Sequence, residues 1–144
     1  MQVLLIEDNR GDAILVKRGF REAAPDITLN WETSAEAGLN TLDCCLDPYD
    51  LIILDLNLPR MSGAEFVAEF VKRPASGNIP IIILSSASAS QIVGTPLGDR
   101  PVGYLTKPSD LEGYRSIGKY VARCLETSQW TSSPDIAIRF KKAH

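Results

Sequence analysis

The chain has 144 residues, of which 44% are apolar, and its formal net charge at pH 7 is −3. That length suits one compact domain with a short extension, and the apolar content is enough to build a core. The 15 basic residues are scattered, and the apolar runs are too short to span a bilayer, so we expect a cytoplasmic protein that binds neither nucleic acid nor membranes.

Short apolar runs alternate with amphipathic stretches along the whole chain. In the first half, the predicted elements are a strand at residues 3–6, a helix at 12–23, a strand at 27–31 and a helix at 34–46 with Ser34 as its N-cap. In the second half they are a strand at residues 51–54, a helix at 63–72, strands at 79–84 and 102–105, and a helix at 111–126. Continuous apolar strands between helices predict an α/β fold with a doubly wound parallel sheet.

Two segments depart from this regular alternation. A fourth helix is expected between residues 85 and 103, but that segment holds Gly94, Pro96, Gly98 and Pro101, which are poor helix formers. We therefore predict a fourth helix that is irregular, shortened or absent.

The second unusual segment is the tail at residues 128–144. Its Ile136, Ile138 and Phe140 would share one face of an extended strand. The tail is either a disordered terminus or an arm that adds a strand to a neighbouring subunit of a homodimer. We accordingly divide the chain into a domain at residues 1–127 and a tail that is a candidate dimerisation arm.

Polar residues follow four of the predicted strands. Glu7 and Asp8 come after the first strand, Asp55 after the third, Ser85 after the fourth and Lys107 after the fifth. In an open parallel sheet the carboxyl ends of the strands form the ligand-binding edge, so these side chains should converge. Three clustered carboxylates repel one another and call for a hard cation such as Mg²⁺. A carboxylate can also attack a phosphoryl group, whose charge a metal and a lysine would neutralise.

Together these residues resemble the receiver domains of two-component response regulators. The similarity covers residues 2–127 and rests on Glu7-Asp8, the segment at residues 55–63, Ser85 and Lys107-Pro108, in that order and at the family's spacing. The resemblance implies a flavodoxin-like, CheY-like fold, with five parallel strands in the order 2-1-3-4-5.

The resemblance also implies a role for each acidic residue. Asp55 would accept a phosphoryl group from a sensor histidine kinase. Asp8 would bind Mg²⁺ directly and Glu7 through water, while Asp55 and the backbone carbonyl of Asn57 would complete the protein ligands.

Further roles follow from the resemblance for residues beyond the acids. Lys107 and Ser85 would contact the phosphoryl group, and Ser85 and Tyr104 would form the switch that reports it. A plain turn role for Ser85 and simple core packing of Tyr104 are the structural alternatives. The family commonly has a cis bond between the residues equivalent to Lys107 and Pro108, and we expect one here.

The opening of the pocket resembles a narrower group within the family. Single-domain regulators associated with bacterial phytochromes typically read Glu-Asp-Asn-Pro-x-Asp where this chain has residues 7–12, with Arg10 in place of proline. This resemblance implies a bacteriophytochrome as a candidate kinase. It also implies a non-enzymatic switch that signals through contacts with a downstream protein.

Two other functions are alternatives at this point. The first is a magnesium-dependent phosphatase of the haloacid dehalogenase type, which resembles this chain in its strand-end aspartate nucleophile. That class needs a second aspartate two residues later, where this chain has Asn57. The second is a degenerate receiver that serves only as a binding module, which the intact Glu7, Asp8, Asp55 and Lys107 disfavour.

Overall fold

A computed structural model describes residues 1–85, 100–130 and 139–140 of the protein. Its sheet has six strands in the order β2-β1-β3-β4-β5-β6, with the first five parallel and β6 antiparallel to β5. The strands are β1 (Gln2–Ile6), β2 (Thr28–Glu32), β3 (Leu51–Leu54), β4 (Ile81–Ser85), β5 (Val102–Thr106) and β6 (Arg139–Phe140). The predicted parallel order 2-1-3-4-5 is confirmed.

Helices cover both faces of the sheet, because the central strands are apolar on both sides. They are α1 (Arg10–Ala23), α2 (Ala35–Cys44), α3 (Gly63–Val71) and α4 (Leu111–Thr127), with a short 3-10 helix at Pro74–Ser76. Alternate residues of β1 divide between the two cores. Val3 and Leu5 pack with α1 and α4, whereas Leu4 and Ile6 pack with α2 and α3.

Each α-helix begins at a side chain that accepts a hydrogen bond from the helix's first turn. The predicted cap Ser34 accepts from the Ala37 amide at 3.1 Å. Asn9, Ser62 and Asp110 cap α1, α3 and α4 in the same way. Asn9 lies three residues beyond β1, and the Gly63 amide at the start of α3 donates to the Leu56 carbonyl just beyond β3. The first turns of α1 and α3 therefore lie beside the carboxyl ends of those strands.

Helices α1 and α4 pack closely against each other through a glycine. A Cβ atom on Gly19 would lie 2.7 Å from the carbonyl oxygen of Tyr114, which is shorter than any ordinary contact. The absence of a side chain at Gly19 therefore permits this approach. The contact holds the second half of α1 against the first turn of α4, which follows the loop from β5.

Several expectations about irregular segments can be compared with this structure. The predicted fourth helix falls at residues 86–99, outside the described residues, as do tail residues 131–138. The tail strand predicted to end at Phe140 is represented by β6, which pairs with Gly103 and Tyr104 of the same chain.

The prediction of a cis bond between Lys107 and Pro108 was wrong. That bond is trans, which is the isomer that X-Pro bonds favour. Within the described ranges, no helix is both long and apolar enough to cross a membrane.

Candidate functional site

The polar residues at the strand ends converge as the sequence predicts. Strands β1, β3, β4 and β5 are consecutive neighbours in the sheet, so Glu7, Asp8, Asp55 and Lys107 meet at one edge. Carboxylate oxygens of Glu7, Asp8 and Asp55 lie within 4.8 Å of one another. Glu7 and Asp55 are buried, with 2% and 5% of their surface exposed, whereas Asp8 is exposed. Two buried carboxylates and one exposed carboxylate thus line a pocket open to solvent.

One ammonium group lies among the acids. Lys107 Nζ donates to Glu7 Oε1 at 2.7 Å, to Asp12 Oδ2 at 2.8 Å and to Asp55 Oδ2 at 3.3 Å. Burial alone would lower the pKa of Lys107, but its hydrogen bonds to Asp12 and Glu7 outweigh burial and raise the pKa above its usual value. Lys107 is therefore a permanent cation that offsets part of the pocket's negative charge.

Sequence reasoning did not place Asp12 in this site. Asp12 lies in the first turn of α1, four residues after Asp8, and its backbone amide donates to the cap Asn9 at 3.0 Å. The only sequence signal was its position in the acidic run at residues 7–12. Asp12 does not follow a strand directly. It belongs to the next helix, α1, which brings its carboxylate to Lys107.

Glu7 and Asp55 are neighbouring buried acids whose pKa values shift in opposite directions. Burial raises the pKa of Glu7 to about 8, and the neighbouring Asp55 carboxylate contributes to the rise. Burial also acts to raise the pKa of Asp55, but the neighbouring Glu7, the Asn57 amide and Lys107 outweigh it and leave the pKa below its usual range. Asp55 is thus the ionised member of the pair, the form that can act as a nucleophile.

The donor set fits a hard divalent cation. Glu7 Oε2 is fully buried, and no hydrogen-bond partner lies within reach in the described part of the chain. A buried carboxylate oxygen without a hydrogen-bond partner is stable only if it is protonated or lies beside a cation. The three carboxylates offer only oxygen ligands, and one of the three is open to solvent. Mg²⁺ and Mn²⁺ prefer oxygen ligands, and Mg²⁺ usually keeps several bound waters. Glu7, Asp8 and Asp55 are the residues that would hold such an ion.

Backbone hydrogen bonds hold the acidic residues in place. The Asn57 amide donates to Asp55 Oδ1 at 3.1 Å, and the Trp31 indole nitrogen donates to the Glu7 carbonyl at 2.7 Å. The Glu7 amide in turn donates to the Glu32 carbonyl at 3.0 Å. Strand β2 therefore supports the end of β1, a role for Trp31 that the sequence did not indicate.

The other predicted site residues occupy the expected elements. Ser85 ends β4, where its backbone pairs with Thr106 of β5. Tyr104 is a half-buried residue of β5 that packs on the α2 and α3 side, and burial raises the pKa of its hydroxyl. Asn57 is exposed two residues after Asp55. The functional roles of Ser85, Tyr104 and the Asn57 carbonyl stay predictions.

Comparison with known proteins agrees with this geometry. The family model of the response regulator receiver domain matches residues 3–117. The chain belongs to this family. A receiver domain is a component of two-component signalling, and residues 3–117 form such a domain.

Three relatives indicate how far the receiver similarity extends. The nitrate/nitrite response regulator NarL of Escherichia coli K12 is 36% identical over 116 residues, which cover 76% of this chain and 50% of NarL. The chain thus spans about half the length of this curated relative. The phosphorylated cyanobacterial phytochrome response regulator RcpA shares the fold with a TM-score of 0.75 at 24% identity, covering 90% of this chain and 96% of RcpA. The Mn²⁺-bound form of response regulator Rcp1 has a TM-score of 0.68 at 25% identity, covering 83% of this chain and 90% of Rcp1.

The raised pKa of Glu7 predicts a stability that falls with increasing pH in the metal-free receiver. Between the usual pKa of 4.5 and the folded value of about 8, the folded state binds more protons than the unfolded state. Raising the pH through this window should therefore lower the free energy of unfolding, by up to about 1 kcal/mol per pH unit. Because His144 is the only histidine of the chain, few other groups titrate between pH 6 and 8.

This pH dependence can be measured by urea denaturation in EDTA at pH 6, 7 and 8. Glu7→Gln is the matched control, because it keeps the shape of the side chain and removes the proton-binding site. We expect a smaller slope in Glu7→Gln than in the unmodified protein. Equal slopes in the two proteins would contradict the assignment of the titration to Glu7.

Proposed function

We propose that this receiver domain accepts a phosphoryl group on Asp55 from a histidine kinase, in a reaction that depends on Mg²⁺. The observation that carries the proposal is the position of Asp55 Oδ2, 3.3 Å from Lys107 Nζ and within 4.8 Å of carboxylate oxygens of Glu7 and Asp8. An ionised carboxylate at the edge of a sheet, beside a cation, is suited to nucleophilic attack on phosphorus.

The proposed reaction forms one bond and breaks one bond. A carboxylate oxygen of Asp55 attacks the phosphorus atom, and the bond from phosphorus to the leaving group breaks, which yields an acyl phosphate. The leaving group is a histidine nitrogen when a kinase is the donor and acetate when acetyl phosphate is the donor. The Asn57 amide would hold one Asp55 oxygen, and Lys107 would neutralise charge on the transferred group.

A bound Mg²⁺ ion would supply further neutralisation of the phosphoryl oxygens. Glu7, Asp8 and Asp55 would hold it, with the backbone carbonyl of Asn57 as a further candidate ligand. The donor chemistry of the acids and the unpartnered Glu7 Oε2 support this assignment.

Incubation with acetyl phosphate tests the proposal directly. With Mg²⁺ present, intact-mass spectrometry should record the gain of one phosphoryl group per chain, and EDTA should prevent it. Rapid turnover of many phosphate esters would instead favour the phosphatase alternative, and no response would favour a degenerate receiver. The phosphatase alternative lacks its second aspartate, because residue 57 is asparagine.

We propose a non-enzymatic switch that works in the cytoplasm through contacts with a downstream protein. The free thiols of Cys44, Cys45 and Cys124 suit a reducing compartment. A bacteriophytochrome is our candidate kinase, supported by the resemblance of residues 7–12 to the phytochrome-associated regulators. Phosphotransfer from a purified phytochrome kinase, compared with a kinase of another sensor class, tests this choice.

We also propose that the tail at residues 128–144 is a dimerisation arm. In the described part of the tail, β6 pairs with the β5 edge through two residue pairs, Gly103 with Phe140 and Tyr104 with Arg139. In a symmetric dimer, the tail of each chain could pair with the β5 edge of the partner chain through the same backbone hydrogen bonds.

Truncation after Thr127 should convert a dimer into a monomer, because it removes the strand that would be exchanged. Multi-angle light scattering at several protein concentrations measures the change. Deletion of residues 141–144 alone is the matched control, since it shortens the tail and keeps β6. A dimer that survives truncation after Thr127, or an untruncated protein that is already monomeric, would refute the arm.

A further inference from the structure

We propose that Asp12 is a positioning residue, which holds Lys107 so that its ammonium group can meet the incoming phosphoryl group. The inference rests on the proposed phosphorylation of Asp55 and concerns how the pocket is prepared for it. Asp12 would act through Lys107 and would itself touch neither the phosphorus nor the attacking oxygen.

The hydrogen bonds of Lys107 carry the argument. An ammonium group has three N–H donors, and Lys107 uses them on three different carboxylates. The distances to Glu7 and Asp12, 2.7 and 2.8 Å, are shorter than the 3.3 Å to Asp55. Two acids thus hold the nitrogen firmly, while the longest bond points to the residue that would be modified.

This arrangement suits a lysine that must exchange one partner. When Asp55 carries a phosphoryl group, the donor now directed at Asp55 can turn to a phosphoryl oxygen while Glu7 and Asp12 retain the other two donors. A lysine side chain has four rotatable bonds, so a nitrogen with fewer partners occupies many positions. Without Asp12, the ammonium would also move closer to Asp55 and mask the carboxylate that must attack.

The fold places Asp12 for this role from a rigid element. Asp12 lies in the first turn of α1, which the cap Asn9 fixes. About two turns further along the helix, the contact of Gly19 with Tyr114 holds α1 against α4. Its side chain is 31% exposed, compared with 2% for Glu7. Asp12 is not among the three acids whose oxygens cluster, so its removal should spare the candidate metal ligands.

A double-mutant cycle separates positioning of Lys107 from general support of the helix. The four proteins are the unmodified chain, Asp12→Asn, Lys107→Met and the double variant. The measurement is the rate of phosphorylation by acetyl phosphate at saturating Mg²⁺, resolved into a maximal rate and an apparent KM. A urea denaturation curve for each protein verifies that it is folded.

We expect Asp12→Asn to lower the maximal rate about tenfold, which is the typical effect of weakening one charge-assisted hydrogen bond. The apparent KM should not rise, because the variant has one negative charge fewer near an anionic donor. In the Lys107→Met background the same substitution should change the rate less than about twofold, since no ammonium is left to position. Glu65→Gln, which neutralises a first-turn acid of α3 outside the pocket, should leave the rate unchanged.

Two results would overturn the role of Asp12 while the proposed function stands. One is an unchanged maximal rate in Asp12→Asn, and the other is an equal loss in the presence and absence of Lys107, which would mean that Asp12 acts through α1. Failure of the unmodified chain to become phosphorylated is a different result. It would overturn the proposed function and the inference that rests on it.

Discussion

Asp55→Asn should abolish the gain of a phosphoryl group from acetyl phosphate. The amide keeps the size and planarity of the carboxylate but has no anionic oxygen for attack on phosphorus. Asp55 is buried with one oxygen on the Asn57 amide and the other facing Lys107, so no neighbouring acid occupies an equivalent position. Intact-mass spectrometry after incubation with Mg²⁺ and acetyl phosphate measures the loss.

The control for this experiment is Asp26→Asn, which removes an exposed carboxylate from the loop between α1 and β2. It should be phosphorylated like the unmodified protein. Circular dichroism should verify that Asp55→Asn keeps its fold. Continued phosphorylation of a folded Asp55→Asn variant would mean that another residue accepts the phosphoryl group, and peptide mapping would identify it.

Asp8→Asn should have opposite effects on metal binding and on stability. Asp8 is exposed and belongs to the cluster whose oxygens lie within 4.8 Å of one another. Loss of an outer-shell partner of a metal site costs roughly 10- to 100-fold in affinity, so loss of a direct ligand should weaken Mg²⁺ binding by at least about 100-fold. Phosphorylation at low millimolar Mg²⁺ should decline in parallel.

The stability effect of the same substitution follows from charge repulsion. In EDTA, replacement of one of three neighbouring carboxylates relieves repulsion, and the free energy of unfolding should rise by about 1 kcal/mol. Isothermal titration with Mg²⁺ and urea denaturation measure the two effects, again with Asp26→Asn as the control. Tight Mg²⁺ binding by Asp8→Asn would rule out Asp8 as a ligand, and a less stable metal-free variant would show that its carboxylate supports the fold.

The fold was predictable because its signals are local. The apolar runs that become β1, β3 and β4 are buried on both faces, and their alternation with amphipathic helices leaves a parallel sheet as the consistent arrangement. Ser34 was recognisable as a cap because the hydrogen bond to Ala37 joins residues three apart. The Lys107–Pro108 isomer was predicted wrongly, since a dipeptide specifies neither isomer strongly.

The candidate site was predictable to the extent that it consists of strand ends. Glu7, Asp8, Asp55 and Lys107 each follow a strand directly, and the parallel arrangement brings such positions to one edge. Asp12 and Trp31 contribute from a helix and an edge strand, so their contacts with Lys107 and Glu7 join residues 95 and 24 positions apart. No periodicity or spacing rule encodes a pair of that kind.

The sequence by itself therefore determined the order of the elements, the identity of the acids and the lysine, and the family. The tertiary structure alone decided how that lysine divides its three hydrogen bonds, and that the pKa of Glu7 is raised while that of Asp55 is lowered. Both depend on distances of a few ångströms and on burial, because electrostatic energies in a poorly solvated pocket change steeply with separation. Asp55 was named by its place after a strand, but the contacts that keep its pKa low despite burial are a property of the folded protein.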